Sequence, residues 1–97
     1  MIFGEIISSK DYYQVYPELL EFIQKHFENV EAGVQGDAWI WIKHERQKIS
    51  IDTFTSMQFQ IKSDKLDGIL LENVIAKIKE NYQLFIYKEP ELEPHEE

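Results

Sequence analysis

Histidine, aspartate and lysine side chains are the first candidates for chemistry in this 97-residue chain. His44 and Asp52 are the best acid–base pair, but residue alternation along the chain places them on opposite faces of a sheet, so a catalytic dyad is not expected. No two histidines have metal-ligand spacing, there is no cysteine, and the serines lie in no nucleophile motif. The sequence therefore predicts no catalytic residue, no metal site and no cofactor, and it favours a binding protein over an enzyme.

The elements that position these side chains can be recognised from the spacing of apolar residues. Alternation of apolar and polar residues predicts antiparallel strands. The four central strands are expected at 29–35, 38–44, 47–53 and 57–62. Apolar residues at helical spacing predict helices at 17–28 and 69–82. Short strands at 2–7 and 83–88 are candidates to join the sheet at places that the sequence leaves open. The fold class is therefore α+β, a four-stranded antiparallel meander with both helices on one face.

The register of the meander follows from keeping apolar side chains on one face, because a slip of one residue moves a strand's whole apolar set to the other face. Around the first two turns the pairs that meet this condition are Val34 with Ala38, Ala32 with Ile40, Val30 with Ile42, Ile42 with Ile49, and Ile40 with Ile51. Around the third turn they are Thr53 with Met57, Ile51 with Phe59, and Ile49 with Ile61. The agreement among the three hairpins supports one apolar face against which the helices pack.

The same register sends aromatic, basic, amide and acidic side chains to the face away from the helices. We take them as candidate binding residues: Trp39, Trp41, Lys43, Lys48, Asp52, Gln58, Gln60 and Lys62. The three lysines are expected in one row across three strands, with Glu31 diagonal to Lys43 and able to neutralise it. The tryptophans have two open interpretations. They cover the sheet, with Trp39 packing over Gly33, or they form a binding surface, since Trp is enriched at interaction hot spots.

Charge and composition limit the classes of partner. The formal net charge is −8, and five glutamates with no lysine or arginine lie in residues 89–97. We expect a single domain at 1–88 and a disordered acidic tail at 89–97. An acidic surface repels phosphates, which makes a nucleic-acid partner unlikely. No apolar run is long enough for a membrane span, and the first residues lack a signal-peptide pattern, so a cytoplasmic protein without a membrane partner is expected.

Three functional hypotheses remain open. The first is a non-enzymatic interaction module that binds a protein partner, or a second copy of itself as a homodimer, through the Trp39/Trp41 face. The second is a small anionic-ligand-binding or enzymatic site on the same face, using Asp52, Lys43 and Lys48. The third is an acidic, immunity-like inhibitor of a partner protein. The predicted layout is shared by many small bacterial proteins, and layout alone does not carry function.

Overall fold

Two helices and six strands make up the protein in a computed structural model that describes residues 1–66 and 68–93. In chain order they are β1 (Ile2–Ile7), α1 (Tyr12–His26), β2 (Asn29–Gln35), β3 (Asp37–His44), β4 (Gln47–Asp52), β5 (Gln60–Ser63), α2 (Ile69–Asn81) and β6 (Gln83–Glu91). The strands form one sheet in the order β2-β3-β4-β5-β1-β6. Every neighbouring pair is antiparallel. The predicted α+β class is confirmed, and the two terminal strands extend the meander beyond β5.

The first two hairpins have the predicted register. Val34 lies opposite Ala38, and Val30 lies opposite Ile42. Ile42 in turn lies opposite Ile49. Gly36 forms the first turn with a φ of +80°, a conformation that glycine adopts without steric cost. Local alternation and short turns were therefore enough to fix this half of the sheet.

The predicted third pairing is wrong by two residues. Ile51 lies opposite Ile61 and Ile49 lies opposite Ser63, so β5 covers 60–63 and residues 53–59 form a longer loop. A shift of two keeps every side chain on its predicted face, so alternation does not distinguish the two registers. Thr53 helps to fix the longer loop, because its N–H donates to the Ala38 carbonyl at 3.1 Å and its hydroxyl accepts from the Ala38 N–H at 3.2 Å.

Helix α1 begins at Tyr12, five positions before the predicted start at Pro17. The Asp11 N–H donates to the Gln14 side chain at 3.3 Å, an arrangement that satisfies a donor at the helix N-terminus. The extra turn places Tyr16 against the sheet, where its ring stacks on Phe59 at 6.1 Å between centroids. Tertiary contact thus extends the helix to residues that precede Pro17, whereas the sequence alone predicted that the first turn begins at Pro17.

The core lies between the helices and the predicted apolar face of the sheet. Its most deeply buried side chains are at most 2% exposed: Ile6, Leu19, Ile23, Ala38, Ile40, Ile42, Ile49, Ile51, Phe59, Ile61, Val74 and Ile78. Fully burying one such aliphatic or aromatic side chain contributes about 1.5–3 kcal/mol. The helices therefore cover one face of the sheet, and the tryptophans lie on the opposite face.

The last strand is longer than predicted. β6 runs through Glu91, which lies opposite Ile2, so residues 89–91 of the predicted disordered tail belong to the sheet. The remaining tail positions 94–97 lie outside the described residues. Neither of the two helices in the described part of the chain is long and apolar enough to cross a membrane.

Candidate binding surface

Trp39 and Trp41 form one aromatic unit of two indoles in contact on the face opposite the helices. Their ring centroids are 4.4 Å apart at an interplanar angle of 38°, and both residues are partly exposed. Gly33 of the neighbouring strand makes room for this unit, because a Cβ there would lie 2.7 Å from Cζ2 of Trp39. The indole of Trp39 therefore packs directly on the glycine backbone, as one of the two sequence interpretations expected, while both rings keep some solvent contact.

Two lysines flank Trp41. The Lys48 ammonium lies 4.5 Å from the ring centroid and the Lys43 ammonium 5.6 Å away, both within cation–π range. The Lys43 ammonium also lies 2.9 Å from the Glu31 carboxylate, the diagonal pairing that the sequence predicted. Lys43 and Lys48 lie opposite each other, but Lys62 lies opposite Ser50. The predicted row of three lysines is therefore wrong, because the shifted register moves Lys62 away from Lys48.

Lys62 instead forms a buried ionic cluster with two carboxylates. Its ammonium lies 2.7 Å from the Asp52 carboxylate and also contacts that of Glu93. The side chains of Lys62, Asp52 and Glu93 are 7%, 3% and 13% exposed. Burial alone would lower the pKa of Lys62, but its hydrogen bonds to Asp52 and Glu93 outweigh that effect and raise it. Glu93 thus contacts its own chain, whereas the tail-based inhibitor hypothesis requires carboxylates that reach a partner.

A cleft of about 320 Å³ connects the tryptophan unit to this cluster. Four of the predicted binding residues line it, namely Trp41, Lys48, Asp52 and Lys62. Phe54 forms another part of the wall, with its ring centroid 5.6 Å from the Lys62 ammonium. The Phe54 N–H donates to the Asp52 carboxylate at 3.2 Å, which ties the start of the long loop to the cluster. The cleft therefore combines aromatic walls with fixed charges of both signs.

The two predicted glutamines lie away from the cleft. Gln60 is buried beside Asp52 on the neighbouring strand, and its side chain accepts a hydrogen bond from the Thr55 hydroxyl at 2.7 Å. Gln58 lies in the long loop rather than in a strand, and its amide donates to the Ser8 carbonyl at 3.4 Å. Burial raises the pKa of the neighbouring Tyr87 phenol, as does Glu5, while a hydrogen bond to Gln60 opposes the shift. The side-chain amides of Gln58 and Gln60 therefore form hydrogen bonds within the fold.

Sequence reasoning missed Phe54 and Glu93 at the cleft. The predicted strands leave Phe54 in a three-residue loop at 54–56, and Glu93 falls in the predicted disordered tail. The predicted pairing sets Lys62 directly opposite Lys48, and like charges in that position are destabilising. A shift of two residues removes this repulsion and brings Lys62 beside Asp52. Lys43 lies opposite Lys48 in the structure, however, so this signal does not decide the register by itself. No comparable local pattern indicated the position of Glu93.

The arrangement is suited to stacking and to charge-assisted binding rather than to proton transfer. His44 lies at the end of β3 with an exposed side chain 3.8 Å from the Glu45 carboxylate, whereas Asp52 is buried within the ionic cluster. Residues 1–66 and 68–93 contain no group of three or more histidine, aspartate or glutamate side chains placed to hold a metal ion. Comparison with models of protein families, with curated proteins and with solved structures gave no match.

Proposed function

We propose that the protein is a non-enzymatic binding module whose sheet face opposite the helices docks a segment of a protein partner. The adjacent indoles of Trp39 and Trp41 carry this proposal, since both rings are partly exposed and neither helix packs on that face. Tryptophan supplies a large rigid contact area, and a few such residues dominate the affinity of many interfaces. The packing of Trp39 on Gly33 also holds the pair in place before binding, which lowers the entropy cost of association.

The charges beside the tryptophans define the chemistry of the partner segment. Lys48 holds its ammonium over Trp41, and both residues line the cleft. Lys43 already forms an ion pair with Glu31, so Lys48 is the better donor for an incoming acceptor. We therefore propose a segment with an apolar side chain that stacks on the indoles and a carboxylate that reaches Lys48.

The proposal is tested by comparing the captured partners of the wild-type protein with those of Trp41→Ala, Lys48→Ala and the matched control Ile69→Ala. Ile69 is an exposed apolar residue at the start of α2, a helix that packs on the opposite face of the sheet. A partner that is recovered should then be purified and its affinity measured for each variant. We expect Trp41→Ala to weaken binding by tenfold or more, which corresponds to about 1.4 kcal/mol or above. Ile69→Ala should bind as the wild type does.

Circular dichroism of each variant shows whether the fold survives. If folded Trp39→Ala and Trp41→Ala variants bind every recovered partner with wild-type affinity, the tryptophan face is not the docking surface. Quenching of tryptophan fluorescence by acrylamide gives a further check without a partner. Both indoles should be accessible in the free protein, and one should be protected when the partner is bound.

The cleft supports a second candidate, the binding of a small anionic ligand. Its volume of about 320 Å³ lies at the lower end of the range for ligand pockets. Of the two lysines that line the cleft, Lys48 is the better placed to bind an anion, because Lys62 is already held by Asp52 and Glu93. Titration with inorganic phosphate and with citrate, followed by amide chemical shifts, separates this candidate from the first. Saturable shifts at Trp41 and Lys48, lost in Lys48→Ala, would favour the ligand site, and the absence of shifts would remove it.

A further inference from the structure

The two edges of the sheet differ in how they are protected from pairing. β6 forms one edge and carries Lys88, Glu89 and Pro90, residue types that discourage a further strand from adding. β2 forms the other edge over seven residues, with no proline and with Glu31 as its one charged residue. Its backbone groups that point away from β3 are a template for another strand. The protein therefore protects one edge and leaves the other open.

The hydrogen bonds of Ala38 identify which groups of β2 point outward. Both backbone groups of Ala38 bond to Thr53, at 3.2 Å for its N–H and 3.1 Å for its carbonyl. Ala38 therefore does not exchange hydrogen bonds with Val34, the residue opposite it on β2. In an antiparallel ladder the backbone groups of such a residue point away from the partner strand, and the pattern repeats every second residue. Val30, Ala32 and Val34 thus direct their N–H and carbonyl groups to the open edge.

We propose that β2 pairs in antiparallel fashion with β2 of a second copy of this chain, around a two-fold axis at Ala32. The pairing sets Ala32 opposite Ala32 of the second copy, and Val30 opposite Val34 in both directions. Each of these three pairs joins residues whose backbone groups point outward, so about six backbone hydrogen bonds form. The dimer then contains one continuous sheet with twice the number of strands.

Charge and geometry select this register over its neighbours. Moving the axis to Glu31 would set two carboxylates opposite each other, which is destabilising. Moving the axis to Gly33 would set Val30 opposite Gly36, which lies in the turn. Only two pairs, Ala32 with Val34 in both directions, would then join residues whose backbone groups point outward. With the axis at Ala32, Glu31 lies opposite Gly33, and no like charges meet despite the net charge of −8. The strand is therefore complementary to itself, and this supports a second copy as the occupant.

The side chains of β2 agree with this arrangement. Val34 is 58% exposed in the single chain, and in the dimer it would pack against Val30 of the second copy. The two-fold axis is perpendicular to the sheet, so the helices of both copies lie on one side and both tryptophan units on the other. Pairing at this edge therefore leaves the proposed docking face accessible, and it is independent of the Trp39/Trp41 surface.

Engineered cysteines test the register, because the chain contains no cysteine of its own. Opposed residues in a hydrogen-bonded pair have Cα atoms about 5.5 Å apart, a distance that a disulfide can span. Ala32→Cys should therefore form a covalent dimer with itself under mild oxidation. Val30→Cys and Val34→Cys should each stay monomeric alone and cross-link when the two variants are mixed. Met57→Cys, at a 74% exposed position away from β2, measures random cross-linking. Cross-linking of Ala32→Cys no faster than that of Met57→Cys would overturn the proposal.

Sedimentation equilibrium over a wide range of protein concentration provides a test without cysteines. The wild type should shift from the chain mass of 11.6 kDa to twice that value, with stronger association as salt screens the net negative charge. Val34→Lys should abolish the shift, because it places an ammonium group against Val30 of the second copy, whereas Met57→Lys should dimerise as the wild type does. A monomer at every concentration, or a dimer that survives Val34→Lys and is lost in Trp41→Ala, would overturn pairing at this edge.

Discussion

The Lys62 ammonium lies 2.7 Å from the Asp52 carboxylate, and both side chains are almost fully buried on the sheet face that the helices leave open. Glu93 reaches the same ammonium from the last described residues of the chain. One cation and two carboxylates thus connect β4, β5 and the segment after β6. Because charges are costly to bury, this cluster is the point at which the open face should be most sensitive to substitution.

Replacing Lys62 with methionine should destabilise the protein strongly. The variant would leave two buried carboxylates without a positive partner, and breaking a buried pair in this way costs about 3–5 kcal/mol. Chemical denaturation at pH 7 measures this loss. Lys43→Met is the matched control, because the Lys43–Glu31 pair is 48% and 57% exposed and should contribute at most about 1 kcal/mol. A loss of unfolding free energy in Lys62→Met no larger than that in Lys43→Met would contradict the ionic explanation.

Gly33→Ala should disturb the tryptophan unit. The new Cβ would lie 2.7 Å from Cζ2 and 2.9 Å from Cε2 of Trp39, so the indole must move off the strand. Overpacking of this kind costs about 1–3 kcal/mol, and the near-ultraviolet circular dichroism of the two indoles should change. In the control Gly36→Ala nothing lies within 4 Å of the new Cβ, but the φ of +80° disfavours alanine. That variant should lose stability with an unchanged tryptophan signal.

Glu45→Gly should stabilise the β3–β4 hairpin. Glu45 occupies its two-residue turn with a φ of +54°, which is unfavourable for a residue with a Cβ. The substitution relieves this strain, but glycine also makes the unfolded chain more flexible, which opposes folding. The net effect should raise the free energy of unfolding by up to about 1 kcal/mol. Glu45→Asn should act in the same direction, because asparagine tolerates this conformation. In the control Arg46→Gly only the entropy cost remains, so stability should fall; a gain there equal to that of Glu45→Gly would contradict the strain argument.

The protein should lose stability above pH 10. Burial, followed by the nearby Glu18 carboxylate, raises the pKa of Tyr82 from its ordinary value of 10.0 to about 12. The unfolded chain releases this proton first, so the stabilisation is complete below pH 10 and is lost as the pH rises through about 12. The raised pKa of Lys62 acts in the same direction. Tyr82→Phe should flatten the decline between these values, and an unchanged slope in denaturation series would contradict the assignment.

The sequence by itself determined the first three strands of the meander, the α2 helix and the two faces of the sheet. Ile40 and Ile42 alternate with Trp39 and Trp41, and among the registers that keep the isoleucines on one face, the shortest turns select the one observed for β2 to β4. Short turns hold these strands next to each other, so local alternation was sufficient. The same alternation placed the tryptophans opposite the helices, and this is the half of the candidate surface that could be predicted.

Only the tertiary structure decided the rest of the surface. A shift of two residues in β5 leaves every face unchanged, and the observed register brings Lys62 within 2.7 Å of Asp52, a contact between strands that alternation does not report. The early start of α1 depends on packing of Tyr16 against Phe59, and the position of Glu93 depends on a lysine far from it in the chain. Residue spacing reports neighbours within a strand or helix, whereas these choices follow from charge and packing between distant segments.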